Sequence, residues 1–239
     1  MIKPKILAGL SLLILVTVAC GLTNTISSGA QQVATLAGNA QNLAGEVQAL
    51  ATTAANAVPQ GAMEDPRAYL IDALSKQMMS EPFRSTMTMV SAGKTTNYTV
   101  EFQPPDRFHM VMPGVVEGVI IGQQGYMKQG DTWLQVPLSA DFSSAFGLLG
   151  PDAVKAFDAI QNVKFAGAEV LDGRPTLIFT YTSDVTVAGV ASTSTNRLWL
   201  GATDGRVYQI VVDGEAAGVK STTTIIYEYD PSIKVEAPV

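Results

Sequence analysis

Two residues of this chain have side chains with distinctive chemistry and occur only once. Cys20 is the single cysteine and His109 the single histidine among 239 residues. A thiol can be acylated or alkylated, and an imidazole can carry protons or bind metal. One cysteine permits no disulfide within the chain. With no second histidine and no cysteine near His109, we expect no metal site, and we predict a half-exposed sheet residue there.

Cys20 follows a segment with the features of a secretory signal. Two lysines precede an uncharged apolar run over residues 6–19, which is too short to span and stop in a bilayer. Thr17-Val18-Ala19-Cys20-Gly21 resembles the lipobox of bacterial lipoproteins, although Thr17 stands where that family usually has leucine. In that family a signal peptidase cuts before a cysteine that carries diacylglyceryl and acyl groups. An ordinary signal peptide with an incidental cysteine and an uncleaved anchor are the alternatives.

The lipobox resemblance implies a location. Residues 1–19 would be removed, and the protein would be exported and lipid-anchored through Cys20 to the outer face of the cell membrane. In a cell with two membranes it would lie in the periplasm, on the inner or the outer membrane. No later apolar run is long enough to span a bilayer, so the lipid would be the only anchor. Two acyl chains suffice for stable attachment.

Composition narrows the class of partner. The chain is 47% hydrophobic and 15% charged, with a formal net charge of −6. No basic cluster could neutralise phosphates, so we expect no nucleic-acid partner. About 220 residues remain after the signal, enough for one domain with a sizeable core. No cofactor is predicted.

Residues 20–62 are predicted to form a stalk rich in Ala, Gln and Asn. Apolar residues recur at steps of three and four from Val33 to Ala54, which is typical of a short helix or a weak coiled coil. Gly38 and Gly45 each cost about 1 kcal/mol of helix stability, and a flexible spacer is the alternative. Either form holds the next domain away from the membrane. The helical form adds an expectation of weak self-association.

Residues 63–239 form the predicted folded domain. Arg67–Ser80 has apolar residues at helical spacing. From Phe83 onward apolar and polar residues alternate, which predicts ten or eleven short strands, with one more considered at 233–236. Turn dipeptides such as Asp172-Gly173 separate them. The expected fold class is α+β, mainly β: an antiparallel meander that forms a barrel or a strongly curved sheet.

Residues 139–161 interrupt the strands. They fit helices broken at Gly147–Pro151, because proline is favoured in the first turn of a helix. Together with the helix at 67–80, these helices are expected to cover one side of the sheet.

Several short sequences in this domain resemble a known superfamily. They are Glu81-Pro82-Phe83-Arg84, Pro105-Asp106-Arg107-Phe108, Leu171-Asp172-Gly173-Arg174-Pro175, Leu198-Trp199-Leu200 and Tyr227-Glu228-Tyr229-Asp230. Their order and spacing over residues 65–237 resemble the LolA/LolB-like superfamily, which includes LppX/LprG lipoproteins and RseB-type periplasmic sensors. The resemblance implies an unclosed antiparallel β-barrel around helices, with an apolar cavity that binds acyl chains of lipids or lipoproteins. It transfers no individual cavity residue.

The alternation itself gives candidate pocket residues. Methionine is flexible and polarisable, which suits a surface for acyl chains of varied shape, whereas an ordinary packed core is the alternative. The candidates are Met87, Met89, Tyr98, Val100, Phe102, Phe108, Met110, Met112, Phe179, Tyr181, Leu198 and Leu200. Trp133 and Trp199 are expected to brace the sheet. Burying each methylene of a palmitate-like chain contributes about 0.8 kcal/mol, so no charged anchor is needed.

Two functions from different classes remain open at this stage. The first is a membrane-tethered carrier or chaperone that transports lipid or lipoprotein acyl chains. The alternative is a non-enzymatic envelope sensor or protein-binding adaptor with the same fold, and a purely structural protein is a third hypothesis. The carboxylates are scattered and no glycine-rich phosphate loop is present, so we expect that the protein is not an enzyme.

Overall fold

The computed structural model describes residues 58–77, 80–137, 157–187 and 190–238. The predicted signal, Cys20 and the stalk as far as residue 57 lie outside these ranges, as does most of the predicted helical insert. Among the described helices, none has the length and apolarity needed to cross a membrane.

Two helices precede a long series of strands. Helix α1 is Gln60–Glu64 and helix α2 is Pro66–Gln77. The strands are β1 Phe83–Ser91, β2 Lys94–Gln103, β3 Arg107–Met112, β4 Val116–Ile121, β5 Gln124–Gln129, β6 Thr132–Pro137, β7 Ile160–Leu171, β8 Arg174–Val187, β9 Val190–Gly201, β10 Val207–Ala216 and β11 Val219–Tyr229.

All eleven strands belong to one antiparallel sheet in the order β6-β5-β4-β3-β2-β1-β11-β10-β9-β8-β7. Strands consecutive in sequence pair with each other except β6 and β7, and the first strand also pairs with the last. This β1–β11 pairing joins Phe83 to Tyr229 and Ser91 to Ser221 and unites the two halves. Strands β6 and β7 stand at opposite ends of the order, so the barrel is not closed. The predicted fold class is therefore confirmed.

The register separates the side chains into two faces. Because successive residues in a strand point to opposite sides, one set of alternate positions forms the buried inner face. Phe83 on β1 lies opposite Phe102 on β2, which lies opposite Phe108 on β3. All three side chains are buried, and on β9 and β8 the inner face continues through Leu198 and Phe179.

Helix α2 closes one part of this inner face. Its Leu70 and Leu74 are buried, and the Tyr69 ring stacks on Phe179 with 5.9 Å between ring centroids. The Arg67 guanidinium donates hydrogen bonds to the carbonyl oxygens of Ile160 at 3.1 Å and of residue 157 at 3.3 Å. The helix is thereby fixed over the β7–β8 side, where its apolar face completes the core.

Two sequence predictions are wrong, one about where a helical segment ends and one about a last strand. The helical insert was expected to reach residue 161, but Phe157–Ala159 is a single 3-10 turn and Ile160 already begins β7. Residues 233–236 form no strand. Instead Ile233 and Val235 are buried against Val119 on the outer face of β4.

Side chains rather than sheet pairing hold this C-terminal segment. The Val235 N–H donates to Gln103 Oε1 at 2.7 Å, and Arg107 donates to the Val235 carbonyl at 2.9 Å. Trp133 packs partly buried against the same cluster, in line with its expected bracing role. Trp199 is buried on β9 and its indole N–H donates to Glu169.

Candidate functional site

The inner face carries a strip of half-buried methionines beside the packed core. The register aligns Met87 on β1 with Tyr98 on β2, and Met112 follows at the end of β3, next to Val111, which is opposite Thr99. One row deeper, Met110 lies opposite Gly118, which lies opposite Met127. We call Met87, Met89, Met110, Met112 and Met127 the methionine strip. All five are partly exposed.

The structure places all twelve sequence-predicted candidates on this inner face, but at two depths. Six are buried in the core and six are half-buried at its border. The buried ones are Val100, Phe102, Phe108, Phe179, Leu198 and Leu200, and the half-buried ones are Met87, Met89, Tyr98, Met110, Met112 and Tyr181. The ordinary-core alternative therefore describes the first six. The second six are partly exposed.

Met127 is the member of the strip that sequence reasoning missed. Its alternation with Gly125 and Gln129 was visible, but only the pairing of β5 with β4 brings it beside Met110. Gly118 between them has no side chain, and a Cβ there would lie 3.4 Å from the Tyr126 carbonyl oxygen. An apolar cavity of about 10 Å³ lies here, with room for about one water molecule.

An aromatic cluster forms the floor beneath the strip. Phe83 is 1% exposed and its ring centroid lies 5.2 Å from that of Phe102, 5.4 Å from Tyr227 and 6.1 Å from Tyr229. Such tilted and edge-to-face contacts are favourable beyond simple area burial. Bulky aromatic rings fill this part of the inner face, and the flexible methionine side chains of the strip lie beside it.

Away from the turns, the inner face of β1–β3 and of the described parts of β8–β11 carries no ionised side chain. Its tyrosines stay neutral, because burial raises the pKa of Tyr181 to about 12 and raises that of Tyr98 as well. The Tyr98 hydroxyl donates to Met89 Sδ at 3.3 Å. A ligand on this surface therefore meets apolar groups and neutral hydroxyls.

A groove at the outer face of β8–β11 and β1 has a different character. Its volume is about 760 Å³. Its lining is rich in hydroxyl and carboxyl groups, including Thr195, Asp184 and Asp213. Because these groups would have to give up water to an acyl chain, the groove does not suit an apolar ligand.

The outer face of β1–β5 carries a ladder of charges. Arg84 donates to Glu101 Oε1 at 2.6 Å, and Lys128 pairs with Glu117 at 2.7 Å. His109 lies between the two carboxylates, with Nδ1 3.5 Å from Glu101 and Nε2 3.3 Å from Glu117. His109 is thus a half-buried sheet residue, as the sequence predicted. Among the described residues, no three metal-ligating side chains cluster together.

This ladder predicts acid sensitivity. Burial alone would raise the pKa of Glu101, but the hydrogen bonds from Arg84 and His109 outweigh it, so the pKa lies below its ordinary value. The Lys128 hydrogen bond lowers the pKa of Glu117. A carboxylate with a lowered pKa stabilises the fold above its unfolded-state pKa, about 4.3, and that contribution disappears as pH falls through the lower folded value.

We therefore expect Glu101→Gln to reduce the free energy of unfolding by about 1 kcal/mol at pH 7. The difference from wild type should shrink as the pH falls below about 4. Denaturant unfolding between pH 3 and pH 7 measures it. Glu215→Gln, an exposed position on β10, is the control. An equal loss at all pH values would show that the ladder is not the cause.

No protein-family profile and no curated protein sequence matches the chain. Solved structures do: LprF from Mycobacterium bovis, at TM-score 0.47 and 16% identity, covers 73% of this chain and 98% of its own. The Mycobacterium tuberculosis lipoprotein LppX, at 0.45 and 14%, covers 72% and 100%.

MucB in complex with MucA(peri) matches at TM-score 0.43 and 13% identity, over 72% of this chain and 57% of that chain. LprF, LppX and MucB are LolA-like folds. LppX and the RseB-type sensors are the proteins that the sequence resemblance named. At these identities the likeness concerns the fold alone.

Proposed function

We propose that this chain is a membrane-tethered extracytoplasmic lipoprotein that binds acyl chains on its methionine strip, as a carrier or chaperone. The observation that carries the proposal is the strip itself. Five methionines and Tyr98 form a partly exposed apolar surface on the uncharged inner face of an open sheet.

The physical chemistry of the strip favours an acyl chain over a compact ligand. Methionine side chains can adapt to a flexible chain, while the aromatic floor around Phe83 fixes the position of the strip. Each buried methylene contributes about 0.8 kcal/mol, so several methylenes in contact with the strip give useful affinity without a charged partner.

The sequence supports the proposed attachment to the membrane. The apolar run at residues 6–19 and the lipobox-like residues up to Cys20 support export and acylation. Residue 58 already belongs to the folded domain, since Val58 packs against the core and Ala62 is fully buried. The segment between Cys20 and the fold would be the stalk that separates this domain from the membrane.

Mass spectrometry of an organic extract tests the acyl-binding proposal. Purified residues 47–239 are expected to carry a stoichiometric lipid, or to bind added palmitate with a rise in melting temperature. Met110→Glu should lose that lipid, because a carboxylate beside Met127 cannot be buried under an acyl chain without a large cost. The exposed outer-face control is Thr86→Glu, which should retain it.

An empty extract with no palmitate-dependent change in melting temperature would contradict the proposal. The adaptor hypothesis would then gain support from the two end strands of the sheet order, β6 and β7. An extended peptide can add to such an edge through main-chain hydrogen bonds.

A further inference from the structure

The methionines of the folded domain are concentrated on one face of the sheet. Of the six methionines in the described ranges, five form the methionine strip, and the sixth, Met63, lies on α1 and is 58% exposed. The five side chains of the strip are partly exposed, so solvent reaches the strip. The single cysteine, Cys20, lies outside the described ranges. Thioether groups are therefore the oxidisable sulfur of the described domain.

Contacts place members of the strip beside one another and beside the core. Met110 and Met127 line the same apolar cavity. Tyr98 lies opposite Met87, and its hydroxyl donates to Met89 Sδ at 3.3 Å. Met87 and Met110 also pack against the buried core. A change in the polarity of these sulfurs would therefore alter one region of the inner face.

Thioether groups have a reversible oxidation chemistry. The sulfur attacks one oxygen of hydrogen peroxide, an S–O bond forms, and the O–O bond breaks. Both peroxide protons leave with the second oxygen as water, so sulfur loses two electrons and peroxide gains them. The product, methionine sulfoxide, is polar, and methionine sulfoxide reductases convert it back to methionine.

Oxidation would change what the strip offers to an acyl chain. A methylene chain cannot donate a hydrogen bond, so an acyl chain that covers a sulfoxide oxygen removes its water without replacing it. Burial of one such unpaired polar group is expected to lower the affinity for an acyl chain by about tenfold or more. The reduced strip therefore suits an acyl chain, and the oxidised strip does not.

One member of the strip already has a hydrogen-bond donor at its sulfur. The Tyr98 hydroxyl donates to Met89 Sδ, although a thioether sulfur is a weak acceptor. A sulfoxide oxygen on that sulfur is a stronger acceptor for the same hydroxyl. The domain can therefore hold an oxidised Met89 without leaving its new polar atom unpaired, and we expect the oxidised domain to remain folded.

We propose that the methionine strip is a reversible oxidation site, at which peroxide converts thioethers to sulfoxides and thereby switches acyl binding off. This inference rests on the proposed acyl-binding function and adds its regulation. A protein outside the cytoplasm meets peroxide from its surroundings directly. Reduction of the sulfoxides returns the strip to its apolar form and restores binding.

Palmitate titration before and after oxidation tests the switch. Purified residues 47–239 contain every described residue and lack Cys20, so no thiol competes for the peroxide. Calorimetry measures the affinity before peroxide, after peroxide, and after treatment with both methionine sulfoxide reductases, one for each sulfoxide epimer. Mass spectrometry of peptides locates each added oxygen. Met63→Leu is the control outside the strip, and a second variant replaces the five strip methionines by leucine, which has a similar volume.

Peroxide is expected to lower the palmitate affinity of wild type and of Met63→Leu by about tenfold or more, and the reductases should restore it. The five-leucine variant should bind palmitate equally well before and after peroxide. Strip sulfoxides without a loss of affinity, an equal loss in the five-leucine variant, or unfolding of the oxidised domain would overturn the switch while leaving acyl binding intact. Untreated wild type that binds no palmitate would instead contradict the proposed function, and the switch with it.

Discussion

Phe83→Ala is expected to reduce the free energy of unfolding by about 3–5 kcal/mol. The ring is 1% exposed and contacts Phe102, Tyr227 and Tyr229, so the truncation removes both transfer energy and three aromatic contacts. Phe83 also lies on β1, the strand that joins the two halves of the sheet. Neighbouring rings cannot collapse into the space without disturbing that pairing.

Urea or guanidinium unfolding of purified residues 47–239 measures this loss, and the melting temperature should fall by about 10 °C. Ile226→Ala is the matched control, because Ile226 lies on the adjacent β11 but is 45% exposed on the outer face. Its change should be under about 1 kcal/mol. Equal losses for the two variants would mean that the aromatic cluster is not the floor of the inner face.

Met87→Glu is expected to weaken palmitate binding by on the order of a hundredfold or more. Met87 lies at the β1 end of the methionine strip, between Tyr98 on β2 and Ile225 on β11. A carboxylate there would be covered by the acyl chain and lose its water, and its described cross-strand neighbours, Tyr98 and Ile225, carry no positive charge. Titration of residues 47–239 with palmitate, followed by calorimetry, measures the affinity.

Thr86→Glu is the control for charge, since residue 86 is one position away on the same strand and exposed on the opposite face. Met87→Gln separates polarity from charge, and we expect an intermediate affinity. Melting temperatures without palmitate show whether each variant remains folded. If Thr86→Glu and Met87→Glu lowered affinity alike, palmitate would bind elsewhere.

The alternation of apolar and polar side chains predicted the sheet well, because successive residues of a strand point to opposite faces of the sheet. The alternation over residues 219–229 predicts a strand with the bounds that the structure gives β11. The expectation of ten or eleven antiparallel strands in an unclosed barrel is confirmed. All twelve candidate residues lie on one face for the same reason, since period-two spacing fixes the side to which a residue points.

How far each of those residues is buried could not be predicted from the alternation. Leu198 and Met110 both occupy inner-face positions, yet the first is fully buried and the second half-buried. The difference comes from helix α2, which packs over the β7–β8 side. Met127 joins the strip only through the register of β5 against β4.

The C-terminal segment shows the other limit of sequence patterns. Ile233 and Val235 alternate as in a strand, but the main-chain groups of Val235 form hydrogen bonds with the side chains of Gln103 and Arg107. Alternation indicates which side chains are buried and leaves open what binds the backbone. The charge ladder from Arg84 to Lys128 is similar, because residues far apart in sequence meet only through cross-strand register.

The sequence by itself determined the strands, their two faces, the antiparallel order implied by short turns, and the single cysteine behind an apolar run. These features are local, so they need only neighbouring residues. The tertiary structure decided which inner-face residues are partly exposed and which methionines form one strip. Each depends on contacts between residues distant along the chain, and such contacts exist only once the eleven strands have paired.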